Sequence, residues 1–79
     1  MVIYRLLKIV GDTYYVAYYP NGIMDKPGYI DINMKTFERH YTLSEKDRFG
    51  RYMTHATMAV VRDFKKYGKP LDEGMRAWG

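Results

Sequence analysis

The longest regular pattern of apolar positions runs from Ser44 to Gly68, SEKDRFGRYMTHATMAVVRDFKKYG. Phe49, Tyr52, Met53, Ala56, Val60, Phe64 and Tyr67 recur at three- and four-residue steps, which draws one apolar stripe along a helix. Ser44 with Asp47 three residues on resembles a capping box, and Glu45 and Asp47 suit the positive end of the helix dipole. Lys65, Lys66 and Lys69 suit the negative end, Gly68 suits a left-handed terminator, and Pro70 forbids continuation. The predicted helix spans about 45–67. Gly50 costs roughly 1 kcal/mol inside a helix. It marks a kink, a close approach to a sheet, or a start nearer Arg51.

Before the helix the period changes from 3.6 to 2. Residues 2–10 and 13–19 are rich in β-branched and aromatic residues and flank Gly11-Asp12, a dipeptide suited to a primed hairpin turn. An uninterrupted ladder then places Val10 opposite Thr13, Leu7 opposite Val16 and Arg5 opposite Tyr18. One face carries Ile3, Leu7, Ile9, Tyr14, Val16 and Tyr18, broken only by Arg5, and is the better core face. The other carries Tyr4, Leu6, Lys8, Val10, Thr13, Tyr15, Ala17 and Tyr19, which is too aromatic for an ordinary solvated surface.

Residues 20–27, with Asn21-Gly22 inside, read as a loop whose Ile23 and Met24 tuck back onto the body. A third strand, 28–34, alternates Ile30, Ile32 and Met34 against Tyr29, Asp31 and Asn33, and a fourth, 37–42, returns after Lys35-Thr36. That register sets Asp31 opposite His40 and Asn33 opposite Glu38. In the tail, 69–79, Leu71, Met75 and Trp78 are spaced to fold back and seal an edge of the core. The expected fold is α+β: a four-stranded antiparallel sheet of two hairpins, then one long helix packed on one face.

At 79 residues the chain makes one small domain, burying only about 60% of its extended surface. It has no cysteine, so neither disulfides nor thiolate zinc sites add stability. With 47% hydrophobic residues and nine tyrosines it is too apolar for disorder, and a compact core or self-association must supply the burial. There is no apolar run of roughly 18 residues and no basic-then-apolar leader, which predicts a soluble, cytoplasmic protein with no membrane partner. A net charge of +4 permits a polyanionic partner without requiring one.

Tyr18-Tyr19-Pro20-Asn21-Gly22 and Pro27-Gly28 gain meaning when read with Gly50-Arg51-Tyr52, His55-Ala56, Gly68-Lys69-Pro70 and Gly74-Met75-Arg76-Ala77-Trp78. Together, over most of the chain from Tyr14 onward, they resemble a pattern in short bacterial proteins of unknown function. The resemblance implies a free-standing small bacterial protein and carries no functional residue onto this chain.

Three groups of residues carry candidate chemistry. Asp31 and His40 form the nearest approach to a catalytic pair, since a carboxylate fixes an imidazole's tautomer and raises its basicity. No nucleophile motif, phosphate loop or metal-spaced cluster accompanies them. Cross-strand pairing on a solvated face is the simpler reading, so no catalytic residue, metal ligand or cofactor is expected. Arg48, Arg51, Arg62 and Lys66 lie along roughly one side of the predicted helix, which suits a phosphate backbone or else the solvated back of an amphipathic helix. Tyr4, Leu6, Tyr15 and Tyr19 form an aromatic patch if the helix covers the opposite face. Such a patch suits a homodimer interface, with stacked single-stranded bases as a second use and a curled sheet that takes the tyrosines into a common core as a third reading. The function expected is a non-catalytic interaction module that self-associates through its tyrosine face. The alternative is a nucleic-acid binder acting through the basic helix stripe.

Overall fold

A computed structural model describes residues 1–69 and 71–78. Strands β1 (Val2–Val10), β2 (Thr13–Pro20), β3 (Gly28–Asn33) and β4 (Arg39–Thr42) precede helix α1 (Arg51–Tyr67), and β5 (Glu73–Arg76) follows it. All pairings are antiparallel, in the order β4-β3-β2-β1-β5. The sheet thus has five strands rather than four. The tail does fold back, but as a strand: Val2, Ile3, Tyr4 and Arg5 pair with Arg76, Met75, Gly74 and Glu73. A four-residue strand containing glycine has too little alternation to announce itself.

The β1–β2 turn forms as its dipeptide predicts, with Val10 opposite Thr13 and Gly11 at φ +59°. The ladder does not continue unbroken. Lys8 pairs with Tyr15 but Leu6 pairs with Val16, so Leu7 is the extra residue of a β-bulge. Beyond the bulge the alternation of β1 is displaced by one residue, and its two faces exchange. Val2, Tyr4 and Leu6 therefore join Tyr14, Val16 and Tyr18 on the core side, while Leu7 and Ile9 remain 55% and 49% exposed.

One apolar cluster unites Val2, Tyr4, Val16, Tyr18, Ile30, Ile32 and Met34 of the sheet region with Met53, Ala56, Ala59 and Val60 of α1. Each fully buried Val or Ile there contributes about 1.5–3 kcal/mol of transfer free energy. Leu6, Tyr14, Tyr52, Phe64 and Trp78 pack around it.

The helix begins at Arg51, not near residue 45. Gly50 adopts φ +73°, a left-handed conformation that cannot lie inside an α-helix, and Ser44 to Phe49 form turns. Phe49 consequently lies outside the stripe at 88% exposure, and Tyr67 at its other end is also exposed. The C-terminus matches expectation: Gly68 takes φ +78° and its N–H donates to the Phe64 carbonyl, with Lys65 and Lys66 in the last turn. Ile23 and Met24 of the β2–β3 loop are exposed rather than tucked back. Among the described residues no helix is long and apolar enough to cross a membrane.

Candidate interaction face

The sheet's position relative to α1 is held by two similar constructions. Tyr4 and Tyr18 are cross-strand partners at the sheet's centre, and both are wholly buried. Each lies beside a glycine on its outer neighbour, Tyr4 opposite Gly74 and Tyr18 opposite Gly28, where any Cβ would collide with the ring. Tyr4 donates its hydroxyl proton to Asp63 Oδ2 at 2.7 Å and accepts from the Leu71 N–H at 3.0 Å. Tyr18 donates to Asp47 Oδ2 at 2.7 Å and accepts from the Ser44 N–H at 2.9 Å. Burial, reinforced by hydrogen bonding to the carboxylates, pushes both phenols well above their usual range. Asp47 also accepts from the Tyr52 and Met53 N–H groups at 3.1 and 2.9 Å, so it satisfies the helix's first orphan donors although Gly50 occupies the cap position.

With Tyr4 and Leu6 turned toward the core, the predicted interface divides. Tyr4 is fully buried and Leu6 half-buried against the core cluster, so neither belongs to the far side of the sheet. Tyr15 and Tyr19 do face that side, because Val16 and Tyr18 between them point inward. The bulge is the physical reason for the division. It also brings Ile3, and with it Met75 of β5, to the far side, where Tyr29 already stands beside Ala17 through the β2–β3 register; Met75 and Tyr29 are 51% and 49% exposed.

The far face is ordered in cross-strand rows. The first row runs Lys8, Tyr15, Asp31, His40 across β1, β2, β3 and β4. The second runs Glu73, Arg5, Ala17, Tyr29, Thr42 across all five strands, and the third begins Met75, Ile3, Tyr19. Ala17 is only 1% exposed although it lies on this face, being sheltered by its larger neighbours. Lys8 Nζ stands 4.7 Å from the centre of the Tyr15 ring, and Arg5 lies over Tyr19 while reaching Glu73 at 3.8 Å. Tyr29 was legible only as an alternating position on β3. Its place beside Tyr15 and Ala17 needed the register of β3 on β2.

The Asp31–His40 pair forms as its register predicts, with His40 Nδ1 3.1 Å from Asp31 Oδ2. Glu38 Oε1 lies 3.6 Å from the other ring nitrogen. Leu7, Tyr15, Tyr29 and Thr42 join the pair around a shallow depression of about 180 Å³, on the order of a few water molecules. Among the described residues no group of three or more His, Cys, Asp or Glu side chains has the arrangement to hold a metal ion.

The predicted basic stripe is partly committed elsewhere. Arg48 precedes the helix and lies over the Phe49 ring at 5.4 Å, whereas Arg51, Arg62 and Lys66 are helical. Arg62 donates to both carboxylate oxygens of buried Asp63 and to the Met75 carbonyl at 2.8 Å, so it ties α1 to β5. Its pairing with Asp63 holds the guanidinium pKa above its usual value. Lys66 lies over the Tyr67 ring at 5.3 Å.

His55 stands apart from both groups. Arg76 Nε donates to its Nδ1 at 3.1 Å, which places the ring proton on Nε2 and keeps the imidazole neutral. Trp78 stacks on it at 3.9 Å with planes 3° apart, and Tyr52 meets the indole edgewise. Burial, then Arg76 and Arg51, lower the His55 pKa. Trp78 thus packs the tail against the helix, as the fold-back expected of the tail implies, whereas Met75 stays 51% exposed.

No protein-family profile, curated protein or solved structure matches the chain significantly.

Proposed function

We propose that the protein is a non-catalytic interaction module that self-associates through the far face of its sheet, around Tyr15, Tyr19 and Tyr29. The observation that carries this reading is a continuous aromatic and aliphatic surface on the side of the sheet away from the core cluster. Leu7, Tyr29 and Met75 remain 55%, 49% and 51% exposed there. Contiguous patches of this kind, with aromatic centres and charged margins, are typical of protein contact surfaces. A chain of 79 residues with one helix among its described residues also gains stability from covering its second sheet face. Lys8, Asp31 and His40, in the same cross-strand row as Tyr15, supply the polar contacts of this reading.

Light scattering across a concentration range, on the wild type and on Tyr15→Glu, tests the proposal. Tyr15 is half-buried on the far face and outside the core cluster, so the variant is expected to stay folded. A concentration-dependent dimer that the charged variant converts to a folded monomer supports the reading. A wild type that stays monomeric at every concentration removes it.

A further inference from the structure

The first row of the far face has a property that selects one mode of self-association. Lys8 on β1 and Asp31 on β3 are both cross-strand neighbours of Tyr15 on β2. They lie one strand spacing, about 4.8 Å, to either side of it and carry opposite charges. A two-fold axis running along β2, in the plane between two facing sheets, keeps each row at its own height and exchanges left with right. It sets β1 of one copy over β3 of the other. Lys8 then falls over the partner's Asp31, twice per dimer, and Tyr15 meets its own equivalent on the axis. In the second row the same operation brings Arg5 over the partner's Tyr29 and leaves Ala17, the smallest side chain of the face, at the closest approach.

The alternative axis, lying in the same plane but across the strands, does not have this property. Placed at the second row, it sets Arg5 against Arg5 and Glu73 against Glu73. Placed at the first, it sets Lys8 against Lys8 and Asp31 against Asp31. Like charges opposed in a desolvated interface are strongly unfavourable. Sheets packed in the aligned manner, about 10 Å apart, leave a lysine long enough to reach a facing carboxylate.

From this we infer that the far face binds a second copy of the chain, face to face about an axis along β2, with Lys8 paired to the partner's Asp31. The inference rests on the self-association proposed above and adds its geometry and its pairing rule. In the symmetric dimer Lys8→Asp opposes two carboxylates at both contacts, and Asp31→Lys opposes two ammonium groups. Each single variant is expected to dimerise about tenfold or more weakly than wild type. Mixed in equal amounts they restore both attractive contacts, so a heterodimer forms in preference to either homodimer, and the Lys8→Asp/Asp31→Lys double variant dimerises again.

Native mass spectrometry of the two variants separately and mixed, with thermal melts to confirm folding, reads all of these states. Preferential heterodimer formation together with non-additive losses in an alanine double-mutant cycle at Lys8 and Asp31 supports the pairing, because the cycle separates it from Lys8–Lys8 and Asp31–Asp31 contacts. Single variants that dimerise like wild type, or a mixture with no heterodimer preference, overturn the pairing while the dimer itself stands. A monomeric wild type overturns both. Because Asp31→Lys also removes the partner of His40, an alanine double-mutant cycle at Lys8 and Asp31 is the second measurement. Additive losses in dimer affinity there would also overturn the inference.

Discussion

Replacing Asp47 with alanine removes one carboxylate that holds three parts of the molecule at once. Its oxygens accept from the Tyr18 hydroxyl at 2.7 Å, the Tyr52 N–H at 3.1 Å and the Met53 N–H at 2.9 Å. The residue is 2% exposed, so water does not readily take its place. Hydrogen bonds to a charged group contribute about 1.5–3 kcal/mol each, and loss of helix capping alone costs about 0.5–2 kcal/mol. The three bonds are coupled, so a simple sum overcounts, and an overall loss of about 3–5 kcal/mol is expected. Against a total of about 5–10 kcal/mol for a domain this small, that loss removes roughly half the stability. Urea unfolding followed by far-UV circular dichroism measures it, and Asp47→Asn, which retains one acceptor, should lose less. Amide exchange at Tyr52 and Met53 provides the local readout, with both protons losing protection in the alanine variant. A stability loss under about 1 kcal/mol, or unchanged protection of those amides, would refute the assignment of Asp47 as helix cap and tyrosine acceptor.

Three further outcomes follow from the same interior. Gly28→Ala and Gly74→Ala place a Cβ against the rings of Tyr18 and Tyr4, with the Ser44 nitrogen at 2.7 Å and Asp63 Oδ2 at 2.8 Å closing the remaining space. Each should cost about 2–3 kcal/mol or more by denaturant titration, and a neutral effect would contradict the packing described. Neither glycine has positive φ, so the loss reports space and not backbone strain. Tyr4 and Tyr18 have raised pKa values in the folded state against an ordinary value of 10.0, so their contribution is complete below about pH 10 and is lost above it. Unfolding free energy should fall there by about 1.4 kcal/mol per pH unit for each tyrosine, and Tyr18→Phe should flatten that slope. His55 has the opposite sense: its folded pKa lies below the usual 6.5, so its contribution is intact above that pH and declines as the pH falls below it. His55→Gln should abolish that acid-dependent loss in melts between pH 5 and 7.5, while an unchanged profile would assign the acid sensitivity elsewhere.

Features governed by neighbouring residues were legible along the chain. Gly11-Asp12 specifies its turn because a two-residue primed turn needs a left-handed first position, and glycine adopts it without a Cβ penalty. Gly68 ends the helix for the same reason, and Asp31 lies opposite His40 as expected, although the connection is residues 34–38 and not Lys35-Thr36 alone, β3 stopping at Asn33 and β4 starting only at Arg39. The bulge at Leu7 left no such mark. A bulge adds one residue to a run that is β-prone throughout, so an unbroken ladder and a bulged one fit the same letters. That one residue reversed the assignment of Tyr4 and Leu6, and with it half of the expected interface. The helix starts at Arg51, one of the readings that Gly50 allowed, and not near residue 45: Ser44 and Asp47 are sound capping residues, but Asp47 reaches the helix from outside it, across the turn that Gly50 makes.

Taken by itself, then, the amino-acid order determined the two periodicities, the primed turn, the helix terminator and an α+β arrangement with an antiparallel sheet. These depend on dihedral preferences and on apolar spacing within a few residues of one another. Tertiary structure decided which face of β1 is buried, that β5 completes the sheet, and that two buried tyrosines meet two buried aspartates from distant parts of the chain. The phenol of Tyr4 and the carboxylate of Asp63 are 59 residues apart in sequence, yet both are desolvated and each needs the other as a partner. Demands of that kind arise only when the chain has closed around them, so no local pattern announces them.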